Sequence, residues 1–115
     1  ALFPNRAEGG TNLVAMEAMA CGVPTILSAN TGHLDIIQEG ACYPLRHQRP
    51  VVMNERGFGT DGWGESDVDE IVEALEQIYQ DREAARQVGL RGAEFMASFD
   101  WDLQLAELLK NLELD

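Results

Sequence analysis

The sequence predicts an α/β fold, a small parallel sheet with flanking helices. Three observations predict it. Short apolar runs at Ala1–Phe3, Thr25–Leu27 and Ala41–Leu45 alternate with helix-like segments. Turn residues punctuate them: Pro4, the Gly9–Gly10 pair, Gly22, Pro24 and Gly40. Beyond Gly64 the chain carries apolar residues at helical spacing. A strand, helix, strand, helix, strand order implies parallel βαβ units with right-handed crossovers, and such sheets bind ligands at the carboxyl ends of their strands.

The first strand ends at Pro4, which lacks the ladder donor. Asn5 to Thr11 reads as a loop, with Gly9 and Gly10 permitting tight turning and close approach of a ligand. Asn12 or Thr11 caps a helix to about Cys21. Leu13, Met16 and Ala20 share one face, and Glu17 shares it too, where a carboxylate is costly unless paired or bound. Gly22 suits the position past the helix end, and Pro24 confirms the stop. Thr25–Leu27 is a short buried strand, Ser28 to Gly32 a polar turn, His33 to Gln38 a short helix ended by Gly40, and Ala41 to Leu45 a third strand.

Arg46 to Gly64 is open to three readings: lid, hairpin or surface loop. Val51-Val52-Met53 suits a brief strand, and Gly57, Gly59, Gly62 and Gly64 surround Phe58 and Trp63. It lacks the endings of known phosphate loops. Ser66-Asp67-Val68-Asp69 can cap the next helix, whose stripe is Val68, Ile71, Val72, Leu75, Ile78 and Tyr79. A further helix runs from about Arg82 to Ala97 with Val88, Phe95 and Met96 inward. Ser98 or Asp100 caps the last one, lined by Trp101, Leu105, Leu108, Leu109 and Leu112. These stripes are expected to form core, and the last could instead cover a partner domain.

The chain has 115 residues, enough for one small domain. Its formal charge is −12, from 8 basic and 20 acidic residues. Most of the acids lie in the carboxyl-terminal half, which should repel nucleic acid backbones and anionic membranes. Nucleic acid is therefore not an expected partner. Cys21 and Cys42 have no metal or scaffold spacing and read as buried free thiols in a reducing, cytoplasmic setting. Ala1 opens directly on apolar residues, so a piece of a larger enzyme is expected.

The chemistry concentrates between Glu8 and Pro24. The N–H groups of Gly10 to Leu13 lie at a helix start and can hold phosphate without a basic side chain. Glu8 and Glu17 can accept hydrogen bonds from ligand hydroxyls, Glu17 from a diol such as a ribose edge. Plainer readings stand beside these: Glu8 as a solvated loop acid, Glu17 paired with a base or reaching solvent, Asn12 as a cap only. His33 reads as an ordered surface or cap-adjacent histidine, and His47 offers less. Ser28 has no visible base–acid partners, so a hydrolase triad is unsupported. The two histidines give no metal spacing.

These residues carry a resemblance. Phe3-Pro4-Asn5, Glu8-Gly9, Met16-Glu17-Ala18-Met19-Ala20-Cys21-Gly22-Val23-Pro24, and Thr31-Gly32 with Asp35 resemble the carboxyl-terminal, donor-binding half of the retaining GT-B glycosyltransferases, the glycosyl transferases group one family. The tail is similar as well, through Asp81-Arg82, Gly89 and Phe99-Asp100-Trp101. The resemblance implies a partial Rossmann-like sheet and residues 1–115 as a fragment of the nucleotide-sugar-binding domain. In that reading the last helix, about 101–112, could pack toward a missing domain.

It also implies transfer of a sugar from a nucleotide donor with retention. Glu8 would contact the transferred sugar, Glu17 the ribose hydroxyls, and Gly9, Gly10, Thr11, Asn12 and Leu13 the diphosphate and sugar, with no cofactor and no obligatory metal. Eight residues separate Glu8 and Glu17, one more than the family commonly has. The diphosphate-gripping bases and the acceptor domain would lie upstream of Ala1, so the isolated fragment is expected to be inactive. Its exposed sheet edge offers a route to pairing between copies. The alternative reading is a non-catalytic nucleotide-sugar-binding or structural module of the same fold.

Overall fold

A computed structural model describes residues 1–53 and 59–112. Gly57 and Phe58 of the glycine-rich stretch lie outside the described residues. The chain forms a mixed α/β fold. β1 (Leu2–Phe3), β2 (Ile26–Ser28) and β3 (Tyr43–Leu45) make a three-stranded parallel sheet in the order β1-β2-β3. Leu2 pairs with Ile26, Phe3 with Leu27, Leu27 with Pro44 and Ser28 with Leu45. Ile26, Leu27 and Ser28 are all buried, as the central strand requires. Pro44 is tolerated because β3 is an edge.

α1 (Leu13–Ala20) follows β1 and packs against α3 (Arg82–Ala97). Between α1 and β2 the chain stops as its residues dictate. Gly22 has φ 72°, its N–H donates to the Met19 carbonyl at 2.8 Å, and the Val23 N–H donates to Ala18 at 3.0 Å. This paired closure satisfies the last helix carbonyls. α3 approaches closely because Gly89 and Gly92 face inward. A Cβ at Gly89 would meet the Gly22 carbonyl, and one at Gly92 would sit 2.8 Å from the Ala41 oxygen. The core gathers Ala15, Met19, Leu27, Ile36, Cys42 and Met96, flanked by Phe3, Met16, Ile37, Phe95 and Phe99.

Several expectations shift. The helix at His33–Gln38 is a 3-10 turn over Thr31–Asp35, closed by bonds from the His33 N–H to Asn30 and the Ile36 N–H to His33. Residues 46–64 contain no strand at Val51–Met53. Instead β4 (Gln48–Pro50) pairs antiparallel with β5 (Gly64–Ser66) as a separate ribbon, which agrees with the hairpin reading. Asp67 then caps α2 (Val68–Gln80), accepting from the Asp69 and Glu70 N–H groups.

The expected core stripes are largely uncovered. In α2, Ile71 and Ile78 are half-buried while Val68, Val72, Leu75 and Tyr79 are exposed. In α4 (Trp101–Asn111), Trp101, Leu105, Leu108 and Leu109 are exposed, as is Leu112 just beyond it. Periodicity identifies an apolar face without saying that anything covers it. No helix among the described residues is long and apolar enough to cross a membrane.

Candidate functional site

Parallel pairing puts the carboxyl ends of all three strands along one edge of the sheet. β1 runs out into the loop 4–12, β2 into the turn 29–35, and β3 into the β4–β5 ribbon. Buried Asn30 joins the three. Its Nδ2 donates to the Asn5 carbonyl at 2.8 Å, to Gln48 Oε1 at 3.0 Å and to the Gly64 carbonyl at 3.2 Å. Its Oδ1 accepts from the Thr31 hydroxyl at 2.9 Å. The Gly64 N–H donates to the Arg6 carbonyl at 2.9 Å, and Arg6 pairs with Glu65 at 2.7 Å.

Glu8 sits half-buried in the first of these loops. Its Oε2 accepts from Asn5 Nδ2 at 3.0 Å, its N–H donates to Thr31 Oγ1 at 2.7 Å, and its carbonyl accepts from the Gly32 N–H at 3.2 Å. Gly32 is obligatory in this packing, because a Cβ there would collide with the Gly10 carbonyl. Gly9 and Gly10 themselves are exposed, with open space where a side chain would point. Thr11 is half-buried and its hydroxyl lies 3.1 Å from Met16 Sδ.

Asn12 is the N-cap of α1 in the left-handed conformation, φ 66° and ψ 82°. Its Oδ1 accepts from the Ala15 N–H at 3.1 Å and its Nδ2 meets His33 Nε2 at 2.9 Å. The N–H groups of Leu13 and Val14, first in the helix, have no acceptor among the described residues. With the helix dipole behind them they form a place where an anion is favoured.

Glu17 is corrected. It is exposed; the buried residues of α1 are Ala15 and Met19, with Met16 half-buried beside the core and Leu13 and Ala20 exposed. The reason is that LVAMEAMA is apolar nearly all round, so spacing does not choose a face. Glu17 needs no buried partner. It lines an open groove of about 210 Å³ with Leu13, Met16, Ala20, Met96 and Phe99. The structure thus gathers Glu8 through Asn12 in one loop, while Glu17 stands on the outer surface of the helix that this loop begins.

His33 is corrected as well. It is fully buried, at 0% exposure, and not on the surface. Its Nδ1 lies 3.0 Å from both the Ser28 hydroxyl and the Ser28 carbonyl. Ser28 and His33 therefore do meet, but Ser28 is itself buried and donates its hydroxyl to the Asn5 carbonyl at 2.7 Å. The third member is an amide, not a carboxylate, so the group is no hydrolase triad. Asn30 and His33 were not identifiable as members of the site from local sequence. The only signal is a run of polar residues, Ser28, Asn30, Thr31 and His33, directly after a buried strand. Cys42 is buried as expected, whereas Cys21 at the end of α1 is exposed.

A model of the family described as Family 4 Glycosyltransferase in conflict systems matches residues 1–108. No curated protein and no solved structure matches the chain.

Proposed function

The chain belongs to the family 4 glycosyltransferases in conflict systems, and from that premise we propose that it forms the donor-site portion of an enzyme that transfers a sugar from a nucleotide sugar to an acceptor with retention. The observation that carries the reading is the Glu8–Asn12 loop. It stands at the carboxyl end of a parallel strand and leads into a helix whose first N–H groups have no acceptor among the described residues. A carboxylate lies on the same loop.

In this reading the donor diphosphate lies against the backbone of Gly9, Gly10, Thr11, Asn12 and Leu13. As the bond from the anomeric carbon to the phosphate oxygen breaks, its electron pair stays on that oxygen, and the helix start stabilises the charge. Glu8 faces the transferred sugar and stabilises positive charge at its anomeric carbon. Glu17 accepts hydrogen bonds from the ribose diol. The bases that grip the diphosphate and the groups that bind the acceptor come from polypeptide outside residues 1–115. The same polypeptide covers the exposed face of α4, and β1 pairs with its next strand there or, in the isolated fragment, with a second copy.

The test is sugar transfer and donor hydrolysis by the full-length protein across a panel of UDP- and GDP-sugars. Glu8→Ala should lower kcat by about 100-fold, the scale of one lost electrostatic contact to the reacting centre. Glu17→Ala should raise the donor KM about tenfold, as expected for a lost charge-assisted hydrogen bond. Wild-type kinetics in both variants would remove the assigned roles. Donor binding without turnover by the wild type would favour the non-catalytic module.

A further inference from the structure

We propose that His33 is a positioning residue for the donor loop. It acts through Asn12 and is held as the tautomer with its proton on Nδ1. The proposal rests on the donor-site reading of the Glu8–Asn12 loop.

The hydrogen bonds allow one arrangement of protons. Asn12 Oδ1 is occupied by the Ala15 N–H, so the amide orientation is fixed by the helix cap. That places Nδ2, which can only donate, 2.9 Å from His33 Nε2. Nε2 must therefore offer a lone pair, and the ring proton sits on Nδ1. There it has two acceptors at 3.0 Å, the carbonyl and the hydroxyl oxygen of Ser28. The Ser28 hydroxyl directs its own proton to Asn5 at 2.7 Å, which leaves a lone pair facing the imidazole.

This chain of bonds clasps both ends of the loop. At the far end, Asn12 is a non-glycine residue at φ 66°, where an N-cap is ordinarily extended. At the near end, the backbone of Asn5 receives Ser28 while its side-chain amide holds Glu8 Oε2 at 3.0 Å. His33 is the link between the two. An apolar side chain of similar volume would fill the space. It would not fix the Asn12 amide, and so would not fix the direction of the Leu13 and Val14 N–H groups.

The test uses the full-length protein in three measurements. In the wild type, long-range nitrogen–proton NMR of the His33 ring should show the Nδ1–H tautomer. Asn12→Asp keeps an acceptor for the cap but turns a second oxygen toward Nε2, and should move a ring proton onto that nitrogen. His33→Leu should raise the KM of the best-used nucleotide sugar about tenfold, as for one well-placed hydrogen bond, with little change in kcat. His33→Gln, whose Oε1 can replace Nε2 toward Asn12, should recover most of the loss.

An Nε2–H tautomer in the wild type, or an unchanged KM in folded His33→Leu, overturns the proposal. If His33→Leu does not fold, the wild-type spectrum and Asn12→Asp still decide it. Failure of the wild type to use any nucleotide sugar would overturn the donor reading on which the positioning role depends, a result separate from the tautomer measurement.

Discussion

From Ser28 to His33 the polar side chains are turned inward and paired, whereas from Val68 to Leu112 many apolar side chains are turned outward and exposed. Asn30, His33 and Ser28 are buried with their partners within about 3 Å. Trp101, at the start of α4, is 78% exposed, and the leucines after it follow suit. The first region spends buried polar groups on a fixed geometry. Each needs its partner, because an unpaired one costs more than a made bond contributes. The second region ends in a helix, α4, that buries none of its residues. The contrast teaches where specificity lies in this chain: in a few hydrogen bonds at the carboxyl edge of the sheet, not in the larger hydrophobic stripes.

Substitution can break that comparison at several points. The largest effect is expected at Gly32→Ala, whose Cβ must displace the Gly10 backbone, at a cost of about 3 kcal/mol. Gly10→Ala points into open space and should cost less than about 0.5 kcal/mol. Denaturant unfolding of the two variants compares one contact from both sides, and equal costs would contradict the packing. Next is Asn30→Ala, which removes the donor shared by the first loop and the β4–β5 ribbon and should cost about 2 kcal/mol by the same measurement. Asp67→Ala removes the cap of α2 and should cost about 1 kcal/mol, visible as a lower unfolding midpoint. The smallest effect belongs to Leu108→Gln. Here an exposed leucine changes stability by no more than about 0.5 kcal/mol. A large loss at Leu108 would show that α4 is already covered in solution.

Much of this was legible in the sequence where the chemistry is local. Asn12 was one of two cap candidates and Gly22 with Pro24 announced the stop, because each acts on its immediate neighbours. The alternation of short apolar runs and turns gave the parallel sheet. What local reading missed is long-range. Asn12 and His33 are 21 residues apart, and Asn30 and Gly64 are 34 apart. A histidine between Gly32 and Leu34 looks like a surface residue until the fold brings an amide to it. The inward face of α1 escaped because alanine and methionine surround Glu17. A hairpin is among the readings of residues 46–64, but its strands escaped because Gln48 finds its partner at Ser66, across the glycine-rich stretch.

The two thiols differ in a way that makes the molecule easy to instrument. Burial pushes the Cys42 thiol above its ordinary range, so near neutral pH it stays protonated and shielded. Cys21 is exposed at the other end of α1 from Asn12. A maleimide dye should therefore react with Cys21 well before Cys42, and peptide mapping would check that order. At 1.5 Å of rise per residue the label would stand about 12 Å from the helix start. Fluorescence at that position would turn the short helix into a gauge of what happens at its opposite end.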